Sequence, residues 1–249
     1  MTEIFILSLV LSLSIIQSIT GVGVLLIGTP ILLLNGFDII TSINSLLPLS
    51  ILTSLLNLIF FKIQQHKAPI TKDTDIIKIF FIYCLAGVFI GTVMILFLSN
   101  FINFEIIIFL VILFTVILKN IFKSLLIGIN KKMKISLIAI IGIIHGLTNA
   151  GGSLLSIFVL SFGNNKDTVS SRYNITYSYF FLALMQYLLF KIVFFNHEIY
   201  IFENYVFLFF IIVIGCIIGN LMSLVIKKKL FGFFVDFLAI ITATSLLLR

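Results

Sequence analysis

From Ile4 to Leu34 the chain carries no charged side chain. As a straight helix that run would be roughly 46 Å long at 1.5 Å per residue, against a hydrocarbon layer of about 30 Å. Gly21, Gly23, Gly28 and Pro30 fall in its second half, and glycine and proline both disfavour a helix interior. The run is therefore expected to break into two half-helices. The same design returns 128 residues later: Ile15-Ile16-Gln17-Ser18-Ile19-Thr20-Gly21-Val22-Gly23 is answered by Ile143-Ile144-His145-Gly146-Leu147-Thr148-Asn149-Ala150-Gly151-Gly152. Paired apolar segments, each interrupted by glycine and polar residues, are the pattern of a membrane transporter.

Apolar residues make up 61% of the chain, charged residues 10%, and the mean hydropathy is +1.30. This is far from soluble usage, in which about a quarter of residues are charged. An all-α integral membrane protein follows, with residues 1–249 as a single transmembrane domain. Eight segments lack charge apart from Lys191 and Asp236: Ile4 to Leu34, Ile39 to Phe61, Ile79 to Leu98, Ile106 to Leu118, Ile135 to Phe162, Tyr173 to Phe195, Tyr205 to Ile226 and Leu230 to Leu248. Six fit single crossing helices; the first and fifth do not. The first run follows Met1-Thr2-Glu3 without a basic leader region, so it is expected to be retained rather than cleaved. The net charge of +7 comes from lysines in short loops, where positive residues set orientation, and not from a nucleic-acid surface. Cys84 and Cys216 lie within apolar spans and read as packing thiols; no metal-ligand spacing or cofactor motif is present.

The duplication extends beyond the breaks. Phe81, Gly87, Gly91, Met94 and Leu96 recur at the same offset as Phe209, Gly215, Gly219, Met222 and Leu224, giving one repeat over about 4–122 and a second over about 135–249. Gly87 with Gly91 and Gly215 with Gly219 have the four-residue spacing that lets helices approach closely, and packing is their expected role. Charge then decides topology. With eight full crossings the Lys and Arg residues divide eleven to five, whereas re-entrant first and fifth segments divide them fourteen to two. In the second arrangement only Lys191 and Arg249 lie outside, together with Glu3, Glu105, Glu198 and Glu203, in agreement with the positive-inside tendency. Re-entrant segments are favoured, and three true crossings per repeat make the repeats inverted.

Irregular backbone within a bilayer must line protein or a watery cavity. A half-helix beginning there presents free N–H groups and the positive end of its dipole, which favours an anion. Thr20, Gly21 and Gly23 supply this in one repeat, and Thr148, Asn149, Gly151, Gly152 and Ser153 in the other; close helix packing is the alternative role for the small residues. Asn44 and Asn174, near the starts of the following helices, add amides. Ser50, Thr53, Ser54 and Asn57 continue a polar face along segment two, which interhelical hydrogen bonding explains equally well. His145, which immediately precedes the second break and stands opposite Gln17, could take an anion, carry a proton, or bond a backbone carbonyl. Arg172 and Asp236 are the other ionisable residues set aside as anion or proton contacts, with snorkelling and salt bridging as their structural alternatives.

On these residues the chain resembles the sulfite exporter TauE/SafE family, also called the TSUP (4-toluene sulfonate uptake permease) transporters. The stretch His145-Gly146-Leu147-Thr148-Asn149-Ala150-Gly151-Gly152-Ser153 is the most specific match, and eight segments in a four-plus-four repeat extend it over the whole chain. Gly21-Val22-Gly23-Val24 lacks the fuller glycine cluster usual in the first break. The resemblance implies movement of sulfite, sulfonates, organosulfur compounds or other small organic anions across a bacterial cytoplasmic membrane. The leading expectation is a proton-coupled or uncoupled secondary transporter, with an anion channel or a non-catalytic subunit of a larger complex as alternatives. An enzyme is disfavoured, because of the three histidines only His145 is embedded and no nucleophile and base accompany it. The expected partners are the anion and the lipid bilayer, without nucleic acid and with a homo-oligomer left open.

Overall fold

The computed structural model describes residues 3–64, 73–99, 101–121, 130–162, 168–194, 204–225 and 228–248. Among these residues every regular element is helical: α1 (Glu3–Thr20), α2 (Val24–Leu34), α3 (Ile39–Gln64), α4 (Thr74–Ile79), a π-helical turn (Phe80–Cys84), α5 (Leu85–Leu98), α6 (Phe104–Ile121), α7 (Lys131–Thr148), α8 (Gly151–Phe162), α9 (Thr168–Val193), α10 (Tyr205–Val225) and α11 (Lys228–Leu247). Five helices are long and apolar enough to cross a membrane: Glu3–Thr20, Ile39–Gln64, Ile77–Leu98, Val169–Val193 and Val206–Val225. Shorter apolar helices accompany them, and together they make this a multi-pass membrane protein. Several residues on which the charge count rests, among them Lys67, Lys72, Lys123, Lys166, Lys227, Glu198 and Glu203, lie outside the described residues.

The first and fifth apolar runs, Ile4 to Leu34 and Ile135 to Phe162, break near their middles, where glycine and polar residues predict. The pieces are 18 and 11 residues in one case, 18 and 12 in the other. What sets the break is a backbone reversal. Gly21 has φ 87° and Asn149 has φ 62°, the left-handed region that glycine enters freely and that asparagine tolerates better than most residues. Gly21 N–H still donates to Gln17 O at 2.7 Å and Asn149 N–H to His145 O at 2.8 Å, each closing the last helical turn. Beyond these residues the chain doubles back. Gly28 of α2 lies against the Leu13 side chain of α1, and Gly151 of α8 lies against Ile141 O and the His145 backbone of α7.

The interior is more polar than the outside, the reverse of a soluble core. Phe207, Phe210, Leu221 and Val225 of α10 and Leu110 and Phe114 of α6 are exposed, whereas Ser14, Gln17, Ser50, Thr53, Ser54, Asn57, His145 and Gln186 are fully buried. Lipid-facing apolar surface supplies no driving force between helices, so close packing and interhelical hydrogen bonds must hold them together. The predicted packing glycines do this across the chain. A Cβ at Gly87 would collide with Ala139 O, at Gly91 with Ile143 O, at Gly142 with Cys84 O and at Gly146 with Val88 O, so α5 and α7 touch backbone to backbone. The α10–α1 contact is built the same way but with serines on one side: Gly215 faces Ser14 and Gly219 faces Ser18. Helices α3 and α9 pack against each other.

Candidate functional site

The two breaks carry the same hydrogen bonds. Thr20 Oγ donates to Ile16 O at 2.9 Å and accepts from Val22 N–H at 3.2 Å; Thr148 Oγ donates to Ile144 O at 2.7 Å and accepts from Ala150 N–H at 3.2 Å. Thr20 Oγ also lies close to Val22 O. These hydroxyls therefore bind the turn to the helix that precedes it. Ser153 turns inward in the same way, donating to Ala150 O at 3.1 Å.

Gln17 and His145 stand at corresponding places and differ in what they meet. Gln17 Nε2 donates to Ser50 O and Ser54 Oγ, both at 2.9 Å, and its Oε1 accepts from Val24 N–H at 3.1 Å. One buried amide thereby caps α2 and ties the break to α3. His145 is equally buried, yet neither ring nitrogen has a hydrogen-bond partner. Its ring meets Tyr179 of α9 edge to face, with centroids 5.9 Å apart.

Tyr179 joins the two breaks. A Cβ on Gly152 would sit 2.5 Å from its Cε2, so this glycine leaves room for the tyrosine ring. At the other end, the fully buried hydroxyl reaches toward Ser50 and the amides of Gly23 and Leu25 at the start of α2, although none forms a well-aligned hydrogen bond with it. A second link runs from Asn149 Nδ2, which donates to Thr29 Oγ of α2 at 3.3 Å while Asn149 Oδ1 remains unpartnered. Gly21 packs on Ile175 and Thr176 of α9, and Gly23 on Ile16 and Gln17.

Gln17, Thr20, Gly21, Gly23, His145, Thr148, Asn149, Gly151, Gly152 and Ser153 are thus gathered around two adjoining turns. Arg172 joins the first, donating to Ser18 O of α1 at 2.5 Å and to Ser223 Oγ of α10 at 2.8 Å, so it is drawn inward rather than toward a lipid interface. Asn174 is placed otherwise: its Oδ1 accepts from Asp73 N–H at 3.3 Å, just ahead of α4. Asn44 is buried in the second turn of α3, and the partly buried Asp236 lies on α11, which packs against α2 and α6. The residues that sequence reasoning missed are Tyr179, Thr29 and Gln186. Gln186 follows Asn57 by 129 residues, one more than the repeat offset, which aligns it with Leu58 instead; Tyr179 sits among similar aromatic neighbours and leaves no trace. Among the described residues no group of His, Cys, Asp and Glu could hold a metal ion.

No curated protein and no solved structure matches the chain. A family model described as "Sulfite exporter TauE/SafE" matches residues 5–246, a span that takes in both turns and every helix packed around them. The chain belongs to the sulfite exporter TauE/SafE family, a family of membrane transporters.

Proposed function

We propose that the chain is a secondary transporter that moves a small anion such as sulfite, a sulfonate or another small organic anion across the cytoplasmic membrane by alternating access. One observation carries this reading: the amino ends of α2 and α8 flank a single buried side chain, Tyr179. Amide groups at a helix start favour negative charge, and here the tyrosine oxygen reaches toward those of α2. In this reading the hydroxyl holds the place of an anion oxygen and swings aside when the solute enters. Gly23, Asn149, Gly151 and Gly152 then present backbone and amide groups to the solute, with His145 beside them as a proton or anion contact.

The hairpins α1–α2 and α7–α8 are re-entrant in this proposal and belong to inverted repeats over about 4–122 and 135–249. Support comes from the matched hydrogen bonds of the two turns and from the reciprocal packing of α5 on α7 and of α10 on α1. Export need not be coupled, since an inside-negative potential favours anion efflux by about 2.3 kcal/mol per charge per 100 mV. Uptake would require a co-transported ion, for which the proton is the natural choice.

Purified protein in liposomes tests the proposal with sulfite, thiosulfate, a short alkanesulfonate and a small carboxylate. Saturable flux of at least one is expected of a carrier. Flux linear in concentration would establish a channel instead, and no flux of any would leave a non-catalytic subunit.

A further inference from the structure

Arg172 is a half-buried cation whose Nε atom is fully buried. Its Nη1 and Nη2 atoms meet a hydroxyl and a carbonyl, its guanidinium carbon lies 5.2 Å from the centre of the Phe61 ring, and its Nε is buried with no acceptor. Among the described residues no carboxylate pairs with it. A charge held in apolar surroundings without a counter-charge is strongly unfavourable. Capping the Ser18 carbonyl does not explain it, because the carbonyl 128 residues later, Gly146 O, is met by the neutral Gln186 amide at 3.3 Å.

Other buried polar groups of the neighbourhood are unmet as well. Asn57 Nδ2 and Ser18 Oγ are buried without a well-aligned partner, Ser18 lying beside the Cys216 thiol, and Asn220 Oδ1 is a buried acceptor that receives nothing. They belong to the same contact chain as Arg172: Ser223 Oγ, which receives Arg172, donates to Asn220 O at 2.7 Å, Asn220 Nδ2 donates to Asn57 Oδ1 at 2.7 Å, and Gly219 packs on Ser18. An unmet buried polar group is unfavourable, so two idle donors beside a guanidinium whose own Nε is idle describe a site rather than a packing defect.

We propose that the junction of α1, α3, α9 and α10 is a seat for a small oxyanion, which accepts from Arg172 Nε, Asn57 Nδ2 and Ser18 Oγ and neutralises the guanidinium. It deepens the transport reading, on which it rests, by adding a charge-selecting station on one side only. At the corresponding place across the molecule Gly146, Gln186 and Thr92 supply no cation.

Flux and binding together test it. In liposomes Ser18→Ala keeps the backbone carbonyl that holds Arg172 and the Cβ that meets Gly219, and removes only the hydroxyl. It is expected to raise the KM of the transported oxyanion by about tenfold; Arg172→Gln is expected to abolish saturable uptake, and Arg172→Lys to retain more than Arg172→Gln. If wild type transports but Ser18→Ala keeps its KM and merely gains thermal stability, the seat is refuted while the transport reading stands. If wild type transports none of the probes, the transport reading itself has failed. Direct binding of radiolabelled sulfite, measured in maltoside detergent stripped of phospholipid, separates a free solute from a lipid phosphate. Binding lost in Arg172→Gln supports the seat. Wild-type binding that is absent there, with an Arg172-dependent response only to added phospholipid, would assign the charge to a headgroup and overturn it.

Discussion

Gly152→Ala should destabilise the protein through one side chain, Tyr179. The added Cβ would lie 2.5 Å from Tyr179 Cε2 and 3.2 Å from Cδ2 and Cζ, whereas carbon atoms rest about 3.5–4.0 Å apart. The ring must retreat by about 1 Å, yet it is fully buried and seated against His145. Overpacking of this kind costs about 1–3 kcal/mol. Tyr179→Leu removes the colliding atoms, so the double variant should be less destabilised than the two single losses added together, with a coupling of about 0.5–3 kcal/mol. Thermal unfolding of the four proteins in detergent, followed by size exclusion, measures it. Additive losses, or a Gly152→Ala protein as stable as wild type, would refute the packing argument. Flux through the same four proteins separates packing from solute clearance. Were Gly152 small only to admit the anion, Tyr179→Leu would leave transport by Gly152→Ala unchanged; clearance of the ring predicts partial recovery.

Asn149→Gly should cost little, because glycine adopts the left-handed backbone freely, and the long 3.3 Å bond to Thr29 is all the side chain donates. Asn149→Ala should cost about 1–2 kcal/mol more, and equal melting temperatures for the two would argue against the conformational account. His145→Phe keeps the edge-to-face partner of Tyr179 and removes two ring nitrogens that bond to nothing. It should fold with undiminished thermal stability and lose transport; full flux in liposomes would show that the histidine serves packing alone.

The breaks are legible in the sequence because their cause is local. Gly21 and Asn149 are residue types that enter the left-handed region, and threonines 20 and 148 are types whose hydroxyls bond to nearby backbone. Glycines 87, 91, 215 and 219 likewise announce close packing by their spacing. Their partners leave no such trace, since nothing in the composition of α5 says that it meets α7 rather than its own neighbour α6. Tyr179 is hidden for a related reason. In Tyr177-Ser178-Tyr179-Phe180-Phe181 the aromatic character is shared, and only the turn of the helix decides which ring reaches the breaks. Apolar runs mark where a helix is permitted, while the reversal at Gly21 and Asn149 marks where it ends.

That exchange of partners bears on how such a molecule can move. The α5–α7 contact admits no Cβ at Gly87, Gly91, Gly142 or Gly146, and interlocked backbones of this kind cannot slide without a large loss of contact. Contacts between α10 and α1 are nearly as close. Under alternating access, therefore, the rigid bodies are not the two sequence halves but α1 and α2 with α10, and α7 and α8 with α5. Spin labels on the exposed residues Ile90 of α5, Ile140 of α7 and Ile217 of α10 distinguish the two cases by electron–electron distances measured with and without a transported anion. The Ile90–Ile140 distance should stay fixed while Ile90–Ile217 changes. A change between Ile90 and Ile140 would mean that the glycine contact slides, and the bodies would then have to follow the order of the chain.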